Sequence, residues 1–282
     1  MTRSRDPRVL VVRAPGTNCE QETAFAFEAA GAAAVHAHLN ALLARPRLLD
    51  EVQGLVLPGG FSFGDDLGAG TVYGALVRNR LLPRVRRLVD RGGIVLGICN
   101  GFQVLVKTGL LPALDGSEEQ AVALAANVSN RYEDRWVTLE ATADNAFFAR
   151  GDRIACPVAH GEGRFLARDA ATLDLLDAAG QLALRYVDPT GAVPARYPWN
   201  PNGAARDVAG ITDPTGRVLG LMPHPERNQF PWQDPRFHAG TAPRVPEGLL
   251  PFRNAVRHLR RAFDLPSGAT RPRAARAGSR RG

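Results

Sequence analysis

The residue of this chain best framed for chemistry is a cysteine between two glycines. Cys99 sits in Gly97-Ile98-Cys99-Asn100-Gly101-Phe102-Gln103. It ends an apolar, β-branched run from Gly93 that reads as a buried strand. From Phe102 to Thr108 the pattern reads as a helix. The flanking glycines let strand and helix close in around the sulfur, which is the physics of a nucleophile elbow. A thiol at that turn faces the positive end of a helix, where the reactive thiolate is favoured. The same residues also fit a small buried cysteine in an ordinary strand-to-helix turn.

A cysteine nucleophile needs a base, and the base needs an orienting group. His224 and Glu226 supply both, in Met222-Pro223-His224-Pro225-Glu226-Arg227. Prolines on both sides of His224 keep the segment out of a helix. In an extended segment, side chains at i and i+2 point the same way, so the carboxylate can support the imidazole. Alone, the segment also fits a solvated loop. Gly59-Gly60 follows the apolar run Gly54-Leu55-Val56-Leu57. Its N–H groups, with that of Asn100, could form an oxyanion hole, although the pair alone also fits a plain tight turn. All three segments fall at comparable strand ends, and this coincidence favours the catalytic reading.

The elements that must position these residues alternate. Strands are expected at Arg8–Arg13, Val35–Leu39, Gly54–Leu57 and the Cys99 run. Helices are expected at Cys19–Ala30 and Thr71–Arg91, the latter broken near Pro83, with a linking segment or short helix over Ala41–Leu49. This alternation predicts an α/β fold with a mostly parallel central sheet flanked by helices, whose site lies beyond the C-terminal strand ends. From Ala121 the chain turns strand-rich, with strands expected at Ala126–Ser129, Trp136–Ala141, Arg153–Val158, Gly163–Leu166, Leu182–Val187, Val208–Thr212 and Val218–Met222. Helices are expected at Ala170–Ala178 and Leu249–Phe263. No internal repeat or sharp boundary precedes the tail, so residues 1–266 read as a single domain.

Composition narrows the classes. The chain has 282 residues, 45% hydrophobic, with a formal net charge of +7. Residues 267–282 carry five arginines and no acid, so without them the charge falls from +7 to +2. The basic character therefore rests on an Arg-rich tail of disordered composition, not on a nucleic-acid surface. Three scattered cysteines, Cys19, Cys99 and Cys156, form neither a disulfide framework nor a zinc motif and fit a reducing cytoplasm. Residues 1–8 are polar and charged, unlike a signal peptide, and no apolar run approaches the ~18 residues of a membrane span. Cys19 and Cys156 lack the glycine frame and read as packing or incidental residues. The pair Asp65-Asp66 reads as shaping a loop, and no metal site is expected.

The Cys99 segment fits the G-x-C-x-G-x-Q pattern, and His224-Pro225-Glu226 the H-P-E, of class I (triad-type) glutamine amidotransferases, which the chain thus resembles. That resemblance implies a flavodoxin-like fold, a Cys99–His224–Glu226 triad and a γ-glutamyl thioester on Cys99. It also implies glutamine binding by Gln103 and an oxyanion turn at Gly59-Gly60. Further segments are similar to the glutaminase subunits of phosphoribosylformylglycinamidine synthases within that family. They are Ala14-Pro15-Gly16-Thr17-Asn18-Cys19-Glu20, Gly59-Gly60-Phe61-Ser62-Phe63-Gly64-Asp65, Ala159-His160-Gly161-Glu162-Gly163-Arg164-Phe165 and Asn200-Pro201-Asn202-Gly203. Asp66, Gly68 and the long segment after Glu226 depart from the pattern of separate subunits.

The resemblance implies a division of labour. This chain has no Walker loop and no GxGxxG fingerprint, so no cofactor is expected in it. ATP and Mg²⁺ would belong to a separate synthetase subunit, which receives ammonia through a channel, and a small third subunit is the further partner that the resemblance allows. Ammonia escaping to water near neutral pH would be protonated and no longer nucleophilic. His160, Glu162 and Arg164, in a glycine-flanked loop, are the candidates for the partner face; they also fit a solvated turn. Two other classes compete: a stand-alone γ-glutamyl thiol hydrolase, disfavoured by the subfamily segments, and a non-catalytic regulatory subunit, disfavoured by the intact triad.

Overall fold

The computed structural model describes residues 6–65, 67–114 and 120–266. Asp66 and the arginine-rich tail, about which the sequence raised expectations, lie outside these residues. Strands β1 (Arg8–Arg13), β2 (Ala33–His38), β3 (Gly54–Leu57) and β4 (Ile94–Ile98) alternate with α1 (Glu20–Ala29), α2 (Leu39–Ala44), α3 (Thr71–Arg80) and α4 (Leu82–Asp90). Helix α5 (Asn100–Thr108) follows. Then come β5 (Val122–Ala126), β6 (Glu133–Ala141), β7 (Arg153–His160), β8 (Glu162–Ala167), α6 (Ala170–Ala178), β9 (Leu184–Val187), β10 (Val208–Thr212), β11 (Val218–Leu221) and α7 (Leu250–Ala262).

Nine strands form one sheet in the order β2-β1-β3-β4-β11-β10-β9-β6-β7, and β5 pairs with β8 apart from it. From β2 to β11 neighbours run parallel; from β11 onward they run antiparallel. Sequence explains the difference. Every residue of β3, β4 and β11 is buried, as expected of parallel strands covered on both faces. Strand β7 alternates instead, with Ile154, Cys156, Val158 and His160 inward, the period-two signature of a sheet with one covered face. Helix α1 meets α7 through Phe27 on Phe252, edge to face at 5.0 Å. One continuous apolar core runs beneath both halves of the sheet, from Val9 to Leu259. Among the described residues no helix is long and apolar enough to cross a membrane.

Several boundaries shift. The interruption expected near Pro83 falls at Leu81, and Pro83 stands in the first turn of α4, where a missing N–H costs nothing. Helix α5 starts at Asn100, immediately after the cysteine. The strand expected at Ala126–Ser129 is largely displaced: β5 is Val122–Ala126, and its alanines hide the strand pattern. The following residues turn away, with the Asn127 N–H donating to Gly161 O at 2.9 Å.

Candidate active site

Three adjacent parallel strands deliver the site. Strand β4 lies between β3 and β11, with Gly97 opposite Leu57 and Ile98 opposite Leu221. The residues just past these strand ends are Gly59-Gly60, Cys99 and His224, which become neighbours despite their separation in sequence.

Cys99 adopts φ +51°, ψ −106°, a backbone conformation that costs a non-glycine residue of order 1–3 kcal/mol. The turn is held by its surroundings. The Cys99 N–H donates to Leu221 O at 2.8 Å, and Cys99 O accepts from the Phe102 and Gln103 N–H groups. The glycine frame is a steric requirement: a Cβ on Gly97 would lie 2.6 Å from Gly101 O, and one on Gly101 only 1.8 Å from Leu57 O. Because α5 begins at Asn100, the N–H of Asn100 is among those that a helix cannot satisfy internally.

The segment carrying His224 is not extended. Pro225–Arg227 form a single 3₁₀ turn with His224 at its N-cap. Pro225 keeps the chain out of an α-helix interior, yet suits the first position of a short turn. The i, i+2 pairing expected from the sequence is nevertheless made, by a different route: His224 Nδ1 lies 2.6 Å from Glu226 Oε1, with both residues buried. Burial opposes charge on the imidazole. The Glu226 carboxylate and a Cys99 thiolate outweigh it and hold His224 protonated well above its ordinary range. Nε2 is buried and, among the described residues, makes no hydrogen bond, while Cys99 Sγ sits 3.8 Å from Ala159 O. Thiol and base are thus neighbours short of a closed hydrogen bond, a looseness common before substrate binds.

Gly60 takes φ +146°, and a Cβ there would strike Gly16 O at 2.5 Å. The Asn18 N–H donates to Gly59 O, and the Phe61 N–H to Gly16 O. These bonds flank the Thr17–Gly60 bridge, so the N–H of Gly60 points away from the Thr17 segment. Gly60, Cys99, Gln103, Tyr132, His160 and Glu162 line one pocket of about 170 Å³. That is smaller than the ~300–1,000 Å³ typical of drug-sized ligand sites and suits a small substrate. The Asn100 side chain braces the floor, donating to Gln103 Oε1 at 3.0 Å and accepting from the Ser62 N–H. Gln103 Nε2 donates to Glu162 O at 2.9 Å.

One sequence reading changes here, and another becomes specific. His160, assigned to an outer face, is 2% exposed; the inward alternation of β7 carries it into the pocket wall, while Glu162 and Arg164 stay half-buried. Cys19, read as a packing or incidental residue, packs, and it does so against the base itself. Its sulfur lies 3.9 Å from His224 Nδ1 and accepts from Arg227 Nη2 at 3.0 Å. Only its place in the segment Ala14–Glu20 hinted at this. Cys19, His224 and Glu226 bring S, N and O donors within 4.8 Å of one another, but the Arg227 contact and the Nδ1–Oε1 bond already engage them. Cys156 is fully buried, and burial pushes its thiol far up, so it is inert.

The sequence matches the CobB/CobQ-like glutamine amidotransferase domain over residues 6–259. It is 43% identical over 255 residues to the phosphoribosylformylglycinamidine synthase subunit PurQ of Dehalococcoides mccartyi, covering 90% of this chain and 98% of that one. The protein of the same name from Methanococcus maripaludis strain C7 is 43% identical over 236 residues, covering 82% and 86%. Among solved structures, a chain of PurLQS from Thermotoga maritima superposes with a TM-score of 0.68 at 30% identity, covering 90% of this chain and 99% of that one.

Proposed function

The chain belongs to the CobB/CobQ-like glutamine amidotransferase family, and from that premise we propose how its residues divide the work. It is the glutaminase subunit of a phosphoribosylformylglycinamidine synthase. It hydrolyses L-glutamine and supplies ammonia for purine biosynthesis, in complex with a synthetase subunit.

In the proposed mechanism, Cys99 Sγ attacks the carboxamide carbon of glutamine. The Gly60 and Asn100 N–H groups receive the developing oxyanion, while Gly59 gives the turn its shape and Gln103 helps to hold the substrate. The C–N bond breaks as the His224 imidazolium gives its proton to the leaving nitrogen, producing ammonia and a γ-glutamyl thioester. His224, now neutral, takes a proton from water, which attacks the thioester and releases glutamate. Glu226 keeps Nδ1–H oriented and stabilises the charged ring. The observation that carries this reading is the meeting of three strand ends at one small pocket holding Gly60 and Cys99, with a buried His224–Glu226 pair beside it.

ATP and Mg²⁺ act in the synthetase subunit, which activates formylglycinamide ribonucleotide; a small third subunit can complete the assembly. The pocket side of the molecule, with Glu162 and Arg164 at its half-buried margin, is the proposed partner face. Residues 1–266 act as one amidotransferase unit. Three unpaired cysteines support a reducing cytoplasm as its place of action.

The test is glutamine hydrolysis by the chain alone, then with synthetase, ATP and formylglycinamide ribonucleotide. A large rise in the complex is expected, and Cys99→Ala should abolish glutamine-dependent synthesis while sparing ammonia-dependent synthesis. Loss of both activities in an intact complex would refute the division of labour.

A further inference from the structure

We propose that the Asn100 side chain positions the oxyanion hole: its residue supplies one of the two donors from the main chain, and its amide grips the loop that supplies the other. The inference rests on the glutaminase reading of the Cys99 pocket and deepens it.

The two donors stand on different elements. The Asn100 N–H opens α5, just behind β4, and the Gly60 N–H lies in the turn behind β3. Strands β3 and β4 stay in register only as far as Leu57 opposite Gly97. Beyond that point the turn is bonded on its other side. Gly59 O accepts from the Asn18 and Cys19 N–H groups, the Phe61 N–H donates to Gly16 O, and the Phe63 N–H donates to Pro15 O. Among the described residues no main-chain hydrogen bond joins residues 58–65 to residues 99–103. Close packing of Gly101 on Leu57 O brings α5 near the end of β3, but it does not aim the turn that follows.

The Asn100 amide makes the missing link. Its Oδ1 accepts from the Ser62 N–H at 3.2 Å, and its Nδ2 donates to Asp65 Oδ1 at 3.3 Å and Gln103 Oε1 at 3.0 Å. The partners fix which way the amide faces, since a main-chain N–H only donates and a carboxylate only accepts. Gln103 is itself held, with Nε2 donating to Glu162 O at 2.9 Å, so the brace ends on strand β8 and not on a loose side chain. Ser62, Asn100 and Gln103 are at most 5% exposed, so water is a poor substitute for a lost bond, and a buried group left unpaired is costly. The main-chain donor does not require asparagine, because every residue except proline carries that N–H. The three side-chain bonds point to a separate task. They hold the Gly60 turn at a fixed distance from Cys99 before glutamine arrives, and donors aimed in advance need no reorganisation as charge develops.

Two variants test this role, and both keep the Asn100 N–H. Asn100→Leu preserves size and removes both polar atoms; Asn100→Ala removes them without adding bulk. Each is assayed in the complex with synthetase, ATP and formylglycinamide ribonucleotide. Misplacement of a reacting group by about 1 Å costs roughly 10²-fold, so kcat for glutamine should fall by about 100-fold, with KM within about threefold. Two probes of Cys99 separate positioning from general damage. L-Glutamate γ-semialdehyde takes up the thiol across its C=O, giving a hemithioacetal whose oxygen stands where the oxyanion forms. Its inhibition constant should rise by about the factor that kcat/KM loses. Iodoacetamide alkylates the same sulfur by displacing iodide, with no oxyanion, and its rate should stay within about twofold. A kcat within about threefold of the unaltered complex in both variants would overturn the proposal. So would alkylation that slows in step with kcat, which would place the loss in the Cys99–His224 pair, or a collapsed thermal melt in both variants, which would make Asn100 a folding residue. Should the unaltered complex hydrolyse glutamine no faster than Cys99→Ala does, the glutaminase reading itself fails, a result distinct from all of these.

Discussion

Gly59→Ala tests whether the catalytic geometry depends on a single missing methyl group. A Cβ at Gly59 would lie 2.7 Å from His224 Cε1 and 3.2 Å from Cys19 Sγ. The first contact is about 0.7 Å closer than the 3.4 Å at which ordinary contact begins. The imidazole has little room to yield, because Glu226 holds Nδ1 at 2.6 Å and Cys19 packs 3.9 Å from the same nitrogen. If the backbone moves instead, Gly59 O loses its bonds from the Asn18 and Cys19 N–H groups, and the neighbouring Gly60 N–H leaves its place. Either movement displaces, by a large part of an ångström, a group that the proposed mechanism uses in the transition state. Misplacement by about 1 Å costs roughly 10²-fold, so kcat for glutamine hydrolysis should fall by about 10- to 100-fold. Overpacking costs typically 1–3 kcal/mol, about 2–4 °C in Tm per kcal/mol for a domain of this size, so the protein should remain folded. The assay is steady-state glutaminase activity in the complex, beside ammonia-dependent synthesis as a control and a thermal melt. A kcat within twofold of the unaltered protein would refute the claim that Gly59 sets the position of the base.

Glu226→Gln removes the carboxylate that overcomes burial at His224, and kcat should fall by about 10²–10⁴, the usual worth of a positioned acid–base group. It should also flatten the pH dependence of stability. A raised His224 pKa contributes stability that is fully present below the unfolded value of about 6.5 and is lost as pH rises through the folded value. Denaturant titrations from pH 6 to pH 9 should therefore show the parent losing stability more steeply than the variant; parallel curves would contradict the assigned direction. Gly101→Ala would place a Cβ 1.8 Å from Leu57 O, inside the packing of β3 against α5. Soluble expression and the cooperative melt should both collapse, and a well-folded Gly101→Ala protein would show that the elbow has slack.

The parallel half of the sheet was legible because Val9–Val12, Leu55–Leu57 and Ile94–Ile98 are short apolar runs, the first bounded by arginines and the other two preceded by glycine, and the proposed triad because Cys99 and His224 each stand in a distinctive local frame. Local patterns misled where tertiary contacts decide. His160 lies among glycines, which suggest an exposed turn, yet the alternation of β7 and the bonds to Asn127 draw it inside. The role of Cys19 depends on a contact 205 residues away, which no window along the chain contains. The strand β5 was missed because alanine is a poor strand signal, and its pairing with β8 is what establishes it. Proline around His224 correctly excluded an α-helix but did not distinguish an extended segment from a single 3₁₀ turn.

The position of β11 in the middle of the sheet has a consequence for how the protein is made. Strand β4 pairs along one side with β3, which precedes it, but along the other with β11, about 120 residues later. At roughly 5–20 residues per second, a ribosome needs about 6–24 s to supply that partner. Throughout this interval the nascent chain presents a fully apolar strand with an open hydrogen-bonding edge, the arrangement most prone to pair with another chain. The same delay postpones activity, since the base arrives just behind β11. On the proposed mechanism a truncated chain therefore carries Cys99 without its His224–Glu226 pair and lacks the means to consume glutamine, so release of ammonia is tied to completion of the sheet.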